Sequence, residues 1–226
     1  MKTVEKTTLL LFLLVFNISL GYAQEMEKMK PQDILYTTPT INDALPKLSQ
    51  NETGNELTVR IHEDDWRQFE FVSLNHKEQI NYELNSIDAI WKKHSVPIGE
   101  YTGFNSIHVR KKITKPLSIK FSKSEFEKLI GGTSVGITFL DNSREIEDVY
   151  AIRKAGYIFY AHITANKLVT LGVERNTDEF LPEEVAKNIK NFVDENDLAL
   201  IHWRSRTAVH PPEHVYNYFT GINAKN

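Results

Sequence analysis

The chain has 226 residues, 41% of them hydrophobic and 11% aromatic, with a formal net charge of −3. That composition belongs to a globular protein with a core of its own, and it lacks the basic excess that neutralising a nucleic-acid backbone requires. The absence of cysteine excludes disulfides, thiol nucleophiles, thiolate zinc sites, iron–sulfur clusters and the cysteine-linked lipid anchor of bacterial lipoproteins.

Residues 1–23 read as a secretory signal peptide. Lys2 and Lys6 outweigh Glu5, Leu9 to Leu20 is an almost unbroken apolar run, and Gly21 and Ala23 are small residues at the −3 and −1 positions of a cleavage site. The run of about a dozen residues is shorter than the roughly 20 needed to span a bilayer, so no stable membrane insertion is expected after cleavage. Removing this leader, with Lys2, Glu5 and Lys6, leaves 203 residues and moves the net charge from −3 to −4. A secreted animal protein of this size usually carries disulfides, so export without cysteine points to a bacterial periplasm or exterior.

Residues 24–55 are polar, carry Pro31, Pro39 and Pro46, and read as an extended, partly mobile leader, with Ile34, Leu35 and Tyr36 as a contact onto the body. A globular domain is expected over 56–226, with a possible subdivision near 114–134. Leu57, Val59 and Ile61 alternate with polar residues as a half-buried strand. The acidic run His62-Glu63-Asp64-Asp65 interrupts it, and Trp66 to Ser73 resumes as a second strand. Lys77 to His94 places Ile80, Leu84, Ile87 and Trp91 on one helical stripe, with Asn75 as N-cap and Glu78 as its partner. Phe104 to Ile113 and Leu117 to Phe121 read as strands. Ser122 and Glu125 form a capping box for a short helix that Gly131-Gly132 ends.

Val135, Ile137 and Phe139 alternate toward a turn at 141–143. Val149 to Lys154 and Tyr157 to Thr164 flank Ala155-Gly156, a two-residue hairpin connection. Ala165-Asn166 turns the chain into Leu168 to Glu174. Pro182 opens a helix with Val185, Ile189, Phe192 and Val193 on its buried stripe, Leu198 to Trp203 is a last strand, and Pro211-Pro212 is expected to end regular structure. The expected class is therefore α+β: a mostly antiparallel sheet with a C-terminal meander, two main amphipathic helices on one face, and one or two helix-on-sheet units.

Candidate sites are few. His202, His210, Glu213 and His214 carry zinc-ligand side chains and support an alternative reading as a metal-dependent hydrolase of envelope or extracellular polymers. Their spacing differs from the helical His-Glu-x-x-His arrangement, so no metal or other cofactor is assigned. The acidic run at 62–65 lacks the alternating oxygen ligands and glycine turn of a calcium loop. No serine lies in a Gly-x-Ser-x-Gly context. Trp66 and Arg67, with Trp203, Arg204 and Arg206, combine the residue types that dominate interfaces. The leading expectation is an exported, non-enzymatic protein of the inhibitor or immunity type, binding another protein or an envelope component through that patch. A small-ligand module, with a tyrosine-lined pocket between helix and sheet, is the third reading.

Overall fold

The structure is a computed structural model that describes residues 47–52, 58–62, 65–98, 101–104, 115–140, 144–176 and 178–222. The signal peptide, the contact expected of Ile34, Leu35 and Tyr36, and most of the strand expected over Phe104 to Ile113 lie outside the described residues.

Alternating side chains build the strands. In chain order they are β1 (Leu48–Glu52), β2 (Thr58–Ile61), β3 (Phe69–Ser73), β4 (Ser95–Ile98), β5 (Tyr101–Phe104) and β6 (Ile119–Lys120). The second half adds β7 (Val135–Phe139), β8 (Arg144–Lys154), β9 (Tyr157–Thr164), β10 (Lys167–Arg175), β11 (Leu198–His202) and β12 (Thr207–Val209). Among the described residues four helices accompany them: α1 (Lys77–His94), α2 (Lys123–Ile130), α3 (Glu183–Glu195) and α4 (Pro212–Thr220).

Ten strands form one sheet, ordered β12-β11-β3-β10-β9-β8-β7-β2, with β1 joining β8 and β6 joining β10; β4 and β5 pair separately. Among the described strands only the β2–β7 pair is parallel. From β7 to β10 consecutive strands are antiparallel neighbours. Ala155 and Gly156 both have positive φ, as do Ala165 and Asn166, which is the backbone that tight hairpins between right-twisted strands require. The polar segment read as leader reaches into the sheet, because Leu48 pairs with Ile146 of β8.

Successive residues of a strand point to opposite faces, so the sheet sorts its apolar residues into two layers. Phe69, Phe71, Leu198 and Leu200 join α2, α3 and α4 in the largest core cluster, around Phe126, Ile189 and Phe219. Their neighbours Val72, Ala199 and Ile201 pack instead against Ile80 and Ile87 of α1. The two main helices therefore lie on opposite faces, contrary to the one-face expectation. The reason is that β3 and β11 are buried on both sides, a pattern that one-sided helix stripes alone do not disclose.

Helix ends follow local chemistry. Ser122 accepts from the Glu125 amide at 3.2 Å while Glu125 accepts from the Ser122 amide at 2.7 Å, completing the expected capping box. Asn75 does not cap α1: it lies inside a 3-10 turn over Leu74–His76 that precedes the helix, and that turn is itself capped by Ser73, whose hydroxyl accepts from the Asn75 amide at 3.3 Å. Pro211-Pro212 starts a helix instead of ending structure. Pro212 occupies the first turn, where a missing N–H is harmless; Val215 and Phe219 bury one face, and Gly221 closes the end at φ 68°.

Gly172 is required by packing. A Cβ there would lie 2.0 Å from the Tyr160 ring, which is itself buried. Gly172→Ala is expected to destabilise by about 1–3 kcal/mol through overpacking, measurable by urea unfolding. Trp91 is half-buried rather than core, and its ring carries the Arg206 guanidinium at 4.4 Å, itself 3.5 Å from Asp88. Trp91→Ala is accordingly expected to cost about 1–2 kcal/mol, less than a fully buried tryptophan would, with thermal unfolding as the check.

Candidate functional site

Three of the five residues expected to form a contact patch are internal. Trp66 and Trp203 are each 1% exposed and Arg67 is 4% exposed. Trp66 stacks on Tyr160 at 4.8 Å and meets Phe139 edge-on. Arg67 Nε donates to Glu70 Oε2 at 2.7 Å, Trp203 Nε1 donates to Glu70 Oε1 at 3.0 Å, and the Arg67 amide donates to the Tyr160 hydroxyl at 2.7 Å. Burial pushes the Tyr160 phenol far above the usual tyrosine range. These residues lie within or beside the two apolar clusters of one sheet face and are buried there. Arg204 and Arg206 reach the surface: Arg204 pairs with Asp65 at 2.6 Å and Arg206 packs on Trp91.

The metal alternatives are similarly dispersed. His210 and His214 are exposed, His202 is half-buried at the end of β11, and Glu213 pairs with Lys190 at 2.7 Å. Among the described residues no three His, Asp or Glu side chains gather as metal ligands would.

A cleft opens where β3 and β10 part. These strands share a single register pair, Gly172 with Glu70, whereas β10 stays paired to β9 through Arg175 and β3 stays paired to β11 along its whole length. The chain between β11 and β12 keeps to the β3 side, since the Trp203 amide donates to the Gln68 carbonyl at 2.9 Å. The gap is a cavity of about 310 Å³ that Tyr218 of α4 also lines. A second cavity of about 490 Å³ adjoins it, lined by Asp178, Phe180, Asn217 and His214; Arg175 and Tyr218 line both.

The groups facing the first cavity are held in place. The His202 Nδ1 accepts from the Ser205 amide at 3.0 Å, which leaves Nε2 to carry the proton of the neutral ring. Its ring tilts against Phe69 at 4.9 Å. Arg175 sits among the rings of Tyr157, Phe180 and Tyr218 at 5.6, 5.9 and 5.7 Å, so cation–π attraction fixes it at the wall between the cavities. Tyr218 is braced edge-on by Phe69 and Phe219. Burial raises the Glu174 carboxyl, partly offset by a hydrogen bond from Asn176.

Burial, reinforced by the Arg204 charge, holds the His202 imidazole below its usual value, and burial does the same to His162. The unfolded chain protonates both near pH 6.5 while the folded chain resists, so the unfolded state binds more protons and stability falls as pH drops through that value. A falling melting temperature between pH 7 and 5.5, with a shallower slope in His202→Phe, is the expected result. A slope unchanged by the substitution would contradict it.

Glu174, Arg175, Asn176 and Tyr218 had no motif to mark them, because they converge only through the splayed strands and a helix start read as a stop. The single legible signal was the adjacent Glu174-Arg175 pair at the end of a mostly apolar strand. Compared with known proteins, the chain matches no family model, no curated protein and no solved structure, so its function is read from its own geometry.

Proposed function

We propose that the chain is an exported binding protein without chemistry of its own, and that the cleft between β3, β10, β11 and α4 is its ligand site. The observation that carries this reading is the immobilised polar wall: Arg175 caged by three rings, Arg204 clamped to Asp65, and His202 locked as one tautomer. Groups already held in one geometry lose little entropy when a ligand binds, which favours affinity. Both cavities fall in the size range of small-ligand sites, about 300–1,000 Å³. Export is supported by the leader sequence, and among the described residues no helix is long and apolar enough to cross a membrane.

The protein-partner reading keeps one observation in its favour. Phe180 and Ile222 are 40% and 51% exposed, and Phe180 lies across Gly221 at the edge of the second cavity. An inhibitor- or immunity-type contact would centre there rather than on the buried tryptophans.

The test is capture from the native host envelope with the mature chain as bait, followed by intact-mass analysis of what is released on denaturation. A low-mass ligand released from wild type and missing from Arg175→Gln supports the cleft. Capture of a protein that Phe180→Ser releases and Arg175→Gln retains would transfer the function to the apolar edge. Export is checked separately by the intact mass of the full-length chain after secretion: a product beginning at Gln24 is expected, and a retained Met1 in the exported fraction would overturn it.

A further inference from the structure

The two cavities repeat one chemical set. The first is lined by Glu174, Asn176 and His202, an acid, an amide and an imidazole; the second is lined by Asp178, Asn217 and His214, the same three types. Arg175 and Tyr218 line both, and Phe180, 40% exposed, adds an aromatic ring to the second. Resting on the reading of the cleft as a ligand site, we propose that these compartments are adjoining subsites for consecutive sugar units of a saccharide chain.

The chemistry of the ligand follows from that of the walls. A sugar ring carries C–H groups of partial positive charge on its flat faces, complementary to the negative face of an aromatic ring. Its hydroxyls each donate and accept, and planar carboxylate, amide and guanidinium groups satisfy such hydroxyls in pairs. A free phosphate calls for a surplus of cations, yet in the first cavity Arg175 and Arg204 are matched by Glu174 and Asp65. A repeated set of side chains at two joined compartments suits a ligand made of repeated units.

The experiment is calorimetric titration of the mature chain with cellotetraose, maltotetraose, chitotetraose and tetragalacturonic acid, with tetra-alanine and inorganic phosphate as comparison probes. At least one tetrasaccharide is expected to bind, about tenfold or more tighter than its own monosaccharide, a difference of about 1.4 kcal/mol. Asn176→Ala and Phe180→Ala, one in each compartment, are each expected to weaken it about tenfold while leaving the melting temperature close to wild type, since both side chains are exposed. No binding across the four tetrasaccharides overturns the proposal. Binding of tetra-alanine or phosphate alone, lost in Arg175→Gln, overturns the saccharide assignment and leaves the cleft as the site. Saccharide binding indifferent to both variants overturns the cleft reading itself.

Discussion

Arg67→Met is expected to destabilise the protein by about 3–5 kcal/mol, because it strips a guanidinium from a buried carboxylate. The Arg67 and Glu70 side chains are 5% and 1% exposed and meet at 2.7 Å. The pair as a whole adds little net stability, since desolvating two charges costs about what their attraction returns, but breaking it strands Glu70 in an apolar layer. The double variant Arg67→Met, Glu70→Gln removes the stranded charge while keeping an acceptor for Trp203, so it is expected to recover a large part of the loss. Urea unfolding of the three proteins checks this. A single variant within about 1 kcal/mol of wild type would show that the carboxylate is solvated.

Trp203→Ala is expected to cost a similar amount, about 3–5 kcal/mol, through a different mechanism. The ring fills the layer between β3, β11 and α1, beside Val72, Ile80, Ile87 and Ile201. Truncation opens a large cavity and also removes the donor to Glu70. Trp203→Phe separates the two effects: it retains most of the packing and loses the hydrogen bond, for an expected loss of about 1–3 kcal/mol. Because Arg67 and Trp203 share Glu70, their losses should not add, and a double-mutant cycle is expected to show coupling. Additive losses would mean that the two contacts act independently.

Those residues also mark where sequence reasoning reaches its limit. Tryptophan and arginine beside a strand end suit an interface and a buried polar network equally well. Glu70, the residue that decides between them, looks like an ordinary solvent-facing position in the run Phe69-Glu70-Phe71-Val72. Local elements were legible because their causes are local: the Ser122–Glu125 box, the Ala155-Gly156 hairpin and the stripe of α3 each depend on a few neighbouring residues. Strand order, the face each helix covers and the parting of β3 from β10 depend on pairings over a hundred residues apart. The cleft inherits that difficulty, since Asp65, Glu174, His202 and Tyr218 come from four separate parts of the chain. The start of α4 was missed for a more specific reason, because two prolines stop a helix from within but are well suited to beginning one.

The most direct measurement is the NMR shift map of the mature, isotope-labelled chain titrated with a low-mass extract of the host envelope. The cleft account predicts perturbations concentrated on the Asn176 amide, the His202 imidazole and the neighbours of Tyr218, with α1 unaffected. Shifts confined to the exposed side of α1 around Tyr82, or to the edge strand β12, would contradict it.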